Sequence, residues 1–215
     1  ENTRLLAEGY AALATSYAYT YQDVEAIQYY QQAYSLVNQL NDELEMAYLK
    51  SNLASTYINL HDYDKAIALL NEAIGYFSQN KLAFDEMQAQ ITLSRSHLAL
   101  KQYDKATICY EKMLELSQYV GEKRFVYFAH FGLAEIYFKQ KEYQAAKEQF
   151  QQAENYFSFI QDPYSQAMHF LLAASLANQD KDTTTAQLML QKVESFTSQL
   201  DRKENIYLFI KIKLF

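Results

Sequence analysis

The sequence predicts an all-α protein assembled from repeated helical hairpins, and three observations support that fold class. Glycine occurs four times and proline once in 215 residues, so few positions can break a helix. No stretch alternates apolar and polar residues over a useful strand length. The chain also repeats itself: "YDKAIALLNEAI" at 63–74 returns forty residues later as "YDKATICYEKML" at 103–114. A fixed period of this size is the signature of stacked supersecondary units.

The hairpins follow one by one from that register. "HDYDKA" (61–66), "KQYDKA" (101–106) and "KEYQAA" (141–146) align, and steps of forty residues reach "YQDVEA" (21–26) and "KDTTTA" (181–186). The beat falls on Ala26, Ala66, Ala106, Ala146 and Ala186. Twelve residues earlier stands a second small residue in each case: Ala14, Ala54, Ser94, Ala134 and Ala174. Two helices approach closely only where neither side chain holds the backbones apart, so each small pair marks one hairpin. Leu13, Leu53, Leu93 and Leu133, with Tyr17, Tyr57 and Tyr137 a turn later, form a stripe expected to face the partner helix. Tyr30, Leu70, Tyr110, Phe150 and Leu190 form the matching stripe on the second helix. The repeats run over about 2–41, 42–81, 82–121, 122–161 and 162–201, divided by polar breaks such as "NQLNDE" and "FIQDPYS". "RKENIYLFIKIKLF" then reads as a terminal helix over 203–215, which caps the stack, opens a sixth repeat or presents Ile206, Phe209, Ile210 and Leu214 to another chain. The whole of 1–215 is one domain on this reading.

Taken in order, the leucine, small, aromatic, small, bulky and alanine positions resemble the tetratricopeptide repeat family over practically the whole chain. Ala33, Ala73 and Ala153 fit its last small position, and Met113 and Val193 depart from it. The resemblance implies a curved α-α solenoid, a superhelix of five hairpins, with a concave groove lined mainly by the first helix of each. The usual repeat has about 34 residues. The six more found here are expected to lengthen the second helix by roughly a turn and a half and to supply the connection. Asp23 and Thr183 stand where the inner repeats carry Tyr63, Tyr103 and Tyr143, as end repeats do.

Composition narrows the function. A formal charge of −7 and a pI near 5.1 argue against direct nucleic-acid contact, which needs clustered Lys and Arg. The single cysteine, Cys109, cannot form an internal disulfide and is read as a small buried hydrophobe, so a reducing cytoplasm is the expected compartment. The most apolar window, "FVYFAHFGLAEIYF" at 125–138, contains His130 and Glu135 and is too short to span a membrane. The chain opens on Glu1 and reads as a piece of a longer protein. No Gly-rich phosphate loop, Cys-x-x-Cys or His-Glu-x-x-His occurs, and "HDYD" at 61–64 is a repeat turn before it is a metal site. No catalytic residue, cofactor or metal is expected, and the domain reads as non-enzymatic.

Binding is the remaining prospect. If the first helices line a groove, as the family resemblance implies, the register assigns it Tyr48, Asn52, Ser55 and Asn59 in the second repeat. The third contributes Gln88, Thr92 and Arg95, the fourth Phe128, Phe131 and Glu135, and the fifth Met168 and Leu171. Asn52, Asn59 and Gln88 each carry a donor and an acceptor and can pair with both groups of an extended peptide backbone. The helix over about 124–139 shows two apolar faces, so either the neighbouring repeats bury the second face or a ligand does. In period, tyrosine- and glutamine-rich composition and groove asparagines, the chain resembles the sensor domains of the cytoplasmic peptide-pheromone receptors of Gram-positive bacteria, the class of Rap, Rgg, NprR, PlcR and PrgX. That resemblance implies a peptide-responsive transcriptional regulator of the quorum-sensing type, with a short extended peptide as partner and a homodimer as one possible state. The competing reading is a general scaffold, or the sensor segment of a signalling protein, holding a protein partner in the same groove. A peptide-regulated phosphatase ranks third, since it needs an additional helical bundle.

Overall fold

The computed structural model describes residues 2–196 and residue 200, so the terminal helix read at 203–215 lies outside the described residues. These residues form α-helices and one 3-10 turn, and no strand occurs among them. Two compact units are present, Glu1–Val120 and Gly121–Phe215. In the first, α1 (Asn2–Tyr19) pairs with α2 (Asp23–Gln39), α3 (Glu43–Asn59) with α4 (Tyr63–Gln79), and α5 (Ala83–Ala99) with α6 (Tyr103–Val120). Successive hairpins also pack, α2 on α3 and α4 on α5. The second unit holds α7 (Lys123–Lys139), α8 (Tyr143–Glu154), a 3-10 turn at Phe157–Phe159, α9 (Pro163–Gln179) and α10 (Thr183–Phe196).

The small residues of the repeat lie where helices meet. Ala14, Ala54, Ser94 and Ala134 are fully buried, as are Ala26, Ala66, Ala106 and Ala146, and Ala174 and Ala186 are buried in the fifth hairpin. Met113 and Val193, the departures from the small pattern, are both fully buried too, so the larger side chains fill core rather than disturb it. At the leucine stripe, Leu53 packs into the cluster formed by α1 and α2, so this position touches the preceding hairpin. Among the described residues no hairpin precedes α1, and the equivalent Leu13 is 46% exposed.

The second helices α2 and α4 have 17 residues each, as do the first helices α3, α5 and α7. The same turn recurs every twenty residues, within hairpins and between them alike. Tyr21, Asn41, His61, Lys81, Lys101, Lys141 and Lys181 all take the left-handed conformation, with φ between 51° and 65°. Each closes a helix in the same way. At His61, for example, the His61 N–H donates to the Ile58 carbonyl at 3.0 Å and the Asp62 N–H to the Tyr57 carbonyl at 2.9 Å. That is the Schellman arrangement, built here on non-glycine residues. The residue after the left-handed one then starts the next helix; Asp42, Asp62 and Asp182 accept hydrogen bonds from the first-turn N–H groups of Glu45, Lys65 and Thr185.

One connection breaks the rule. α8 stops after 12 residues, at Glu154, and the 3-10 turn that follows sends Phe157 inward. The Phe157 ring stacks on His169 of α9 with centroids 4.0 Å apart. The next helix is restarted by Pro163 in its first turn and by Asp162, whose carboxylate accepts from the Tyr164 and Ser165 N–H groups.

Candidate functional site

The site begins with Asp23. It occupies the position held by tyrosine in the inner repeats and, at the first residue of α2, is 8% exposed. Its carboxylate accepts a hydrogen bond at 2.9 Å from the side-chain amide of Asn59, at the last turn of α3. A carboxylate only accepts, so the NH2 end of the Asn59 amide faces Asp23 and its oxygen points elsewhere. One and two turns back along α3 lie Ser55 and Asn52. Across from them, Thr15 of α1 meets the Tyr30 hydroxyl of α2 at 3.0 Å. Burial holds the Tyr30 phenol above its ordinary range, so it keeps its proton.

These groups enclose a cavity of about 290 Å³ whose wall includes Thr15, Tyr19, Tyr30, Asn52, Ser55 and Asn59. It lies wholly within the first unit, where α1, α2 and α3 meet. No charged side chain lines it. Three residues assigned to the groove from register, Asn52, Ser55 and Asn59, therefore share one concavity. Tyr19, Tyr21 and Tyr30 belong to it as well and were not anticipated, and Asp23 is tied to its wall through Asn59. Only the replacement of tyrosine by aspartate at 23 signalled them in the sequence.

The remaining assigned residues lie elsewhere. Tyr48 is half-buried with its ring 5.4 Å from that of Phe77. On α5, Gln88 and Arg95 are exposed and Thr92 is half-buried, its hydroxyl donating to the Gln88 carbonyl at 3.3 Å. On α7, Phe128 and Glu135 are half-buried. Phe131, Met168 and Leu171 are built into the core of the second unit, at 8%, 8% and 2% exposure. For Phe131, of the alternatives that the two apolar faces of α7 left open, burial by neighbouring helices is the one realised. The spacing that puts a residue on the unpaired face of a first helix does not tell whether the next hairpin will cover it.

The histidines do not form a reactive cluster. His97 Nδ1 and Gln102 Oε1 are 2.8 Å apart, as are His130 Nδ1 and Gln149 Oε1. His169 is 3% exposed, stacked on Phe150 and Phe157, with Nδ1 3.3 Å from the Tyr127 hydroxyl. Burial, with Lys192 adding repulsion, drives its imidazole down to about 4. Burial likewise pushes the Cys109 thiol up to about 12, so it is not a nucleophile at neutral pH. Among the described residues no group of three His, Cys, Asp or Glu side chains could hold a metal ion, and no helix is long and apolar enough to cross a membrane.

Comparison with known proteins places this geometry. Tetratricopeptide repeat models match residues 47–80 and 85–158, between them about half of the chain. The chain belongs to the tetratricopeptide repeat family. It is similar to the response regulator aspartate phosphatase H of Bacillus subtilis (strain 168), at 26% identity over 131 residues. That match spans 60% of this chain and 35% of the phosphatase, so the tetratricopeptide chain covers about a third of that relative's length. Among solved structures, the apo form of RapI superposes with a TM-score of 0.78 at 16% identity, over 90% of this chain and 70% of RapI. NprR in complex with its cognate peptide NprX superposes with a TM-score of 0.75 at 18% identity, over 95% of this chain and 59% of NprR. At these identities the two structures establish a shared fold.

Proposed function

We propose that this chain is the peptide-sensing domain of a regulator of the Rap and NprR kind, working in the cytoplasm, and that it binds a short extended peptide without catalysing a reaction. The observation that carries this reading is the cavity of the first unit, where Asn52, Ser55 and Asn59 come together as a polar wall of peptide side-chain dimensions. Amide side chains match the alternating N–H and C=O groups of an extended backbone. NprR, which shares the fold, has been solved with a bound peptide. On this reading Tyr48, Gln88, Thr92 and Arg95 extend the contact surface along the first helices of the first unit; within the second unit, Phe128 and Glu135 are contact residues on the first helix and Phe131, Met168 and Leu171 support them from the core. Binding regulates an attached output domain, a transcriptional one by analogy with the quorum sensors, by favouring one arrangement of the hairpins or of a dimer. A peptide shifts such an equilibrium only by its difference in affinity between the two forms.

The test uses heptapeptides selected from a random display library against the chain, with affinity measured by calorimetry. The pair Asn52→Ala and Asn59→Ala is expected to weaken the selected peptides roughly tenfold or more, two hydrogen bonds being removed. Equal affinity for the variant and the parent, with helical content unchanged, removes the assignment. Selection that yields no peptide while a folded protein is retained favours the scaffold reading.

A further inference from the structure

We infer that Asp23 is a positioning residue for the bound peptide: from behind the cavity wall it holds the Asn59 side-chain amide in one orientation, and so decides which end of that amide meets the peptide backbone. The inference rests on the peptide reading above and names a residue that serves it without lining the cavity. Asn59 is part of the wall between α1, α2 and α3, whereas Asp23 is not. The Asn59 amide thus stands between the wall and a carboxylate only 8% exposed, to which it donates one N–H at 2.9 Å. An unrestrained Asn exchanges its oxygen and its NH2 by rotation about the last side-chain bond, and so presents either end to a ligand. Beside a carboxylate, which only accepts, the exchanged form sets oxygen against oxygen. One orientation remains, with the Asn59 oxygen and its second N–H left for a peptide unit.

The repeat register points to the same pairing. Asp23 and Asn59 are 36 residues apart, and the same spacing joins Tyr63 to Ala99, Tyr103 to Lys139 and Tyr143 to Gln179. Aspartate replaces tyrosine at the one of these four joints where the partner is asparagine. The replacement is therefore matched across two hairpins, α2 carrying one member and α3 the other. Ser55 and Thr56, which share the wall with Asn59, are fixed by their own helix instead: their hydroxyls donate to the Ser51 and Asn52 carbonyls, both at 3.3 Å. A side chain ordered before the ligand arrives does not lose that freedom on binding, so the Asp23 bond adds affinity without touching the peptide. It also adds specificity. The Asn59 oxygen requires an N–H from the ligand, and a peptide unit without one, an ester or the nitrogen of a proline, is disfavoured there.

A double-mutant cycle on the full 215-residue chain provides the test. Fluorescein-labelled heptapeptides from the display selection are titrated by fluorescence anisotropy against the parent, Asp23→Asn, Asn59→Ala and the double variant. The Asp23→Asn change is close to isosteric and keeps a hydrogen-bonding group against Asn59, yet it makes both orientations of the facing amide available. It is expected to weaken binding roughly three- to tenfold in the parent and to have no effect in the Asn59→Ala background. Peptides in which one amide at a time is replaced by an ester should show, against the parent, one unit whose replacement costs about tenfold, and that cost should shrink in Asp23→Asn. Three results each overturn the positioning role and leave the peptide reading standing: an Asp23→Asn variant that binds as the parent does, an Asn59→Ala variant of unchanged affinity, or an equal loss from Asp23→Asn with and without Asn59. The last would mean that Asp23 acts through its charge or through the fold. Failure to select any peptide ends both.

Discussion

At the scale of single residues, His169 is held far from its behaviour in water. Its imidazole sits between Phe150 and Phe157 and titrates at about 4, against 6.5 when solvated. Above 6.5 the ring is neutral in folded and unfolded chains alike and contributes no pH dependence. Between 6.5 and 4 the unfolded chain takes up a proton that the folded chain refuses, so stability falls as pH falls, levelling off below 4. The full loss is about 3 kcal/mol. Urea unfolding followed by circular dichroism at pH 7.5 and pH 4.5 should show the drop in the parent and a much smaller one in His169→Phe; parallel drops in both would locate the acid sensitivity elsewhere. The capping aspartates add to it only at lower pH. The hydrogen bond and charge of Lys65 hold Asp62 below its ordinary value, and hydrogen bonds from Thr185 do so at Asp182. Their contribution is present at neutral pH and is lost as pH falls through those lowered values. A second residue-scale prediction concerns the turns. Lys141 takes φ 65° without the freedom that glycine would have there. Lys141→Gly should therefore raise stability by about 1 kcal/mol, read as a higher urea midpoint with an unchanged m-value. A lower midpoint would mean the unfolded-chain entropy of glycine dominates.

At the scale of elements, the small pairs decide how closely helices approach. Ala66 of α4 and Ala54 of α3 are both fully buried within one hairpin. Ala66→Leu inserts a branched side chain where no space exists and should cost about 1–3 kcal/mol, measured by urea unfolding, whereas the same change at the exposed Ala68 should be nearly neutral. This is also where the sequence was most legible. A forty-residue beat of small residues has one simple physical meaning, and every beat position is buried. The twenty-residue turn was not legible, because Tyr, Asn, His and Lys carry no common signature of left-handed backbone; the hydrogen bonds to Tyr57, Phe77 or Phe138 that enforce it exist only in the folded chain. The early stop of α8 was hidden for a similar reason. Nothing in "FQQAENYFSF" marks a helix end, and the stop is set by Phe157 finding His169 and Tyr127 on other helices. On α3 the register brought Asn52, Ser55 and Asn59 to one concavity, because the unpaired face stays open there. On α7 and α9 the same register falls under packing that covers Phe131 and Leu171, which periodicity does not reveal.

At the scale of the whole molecule, the relevant quantity is the acid excess. Twenty-six Asp and Glu residues against nineteen Lys and Arg leave a formal charge of −7. Such a chain repels acidic peptides at long range and attracts basic ones before any contact forms. The polar, uncharged cavity of the first unit is then reached through a negative field. Steering of this kind acts on the association rate and is screened over about 10 Å at 0.1 M salt, against about 30 Å at 0.01 M. Stopped-flow anisotropy with a basic heptapeptide should therefore show an association rate that falls severalfold between those two conditions, with a smaller change in dissociation. For an analogue with norleucine in place of each basic residue the association rate should be nearly flat. If salt instead acts mainly on dissociation, and equally for both peptides, the net charge of the chain has no part in recognition.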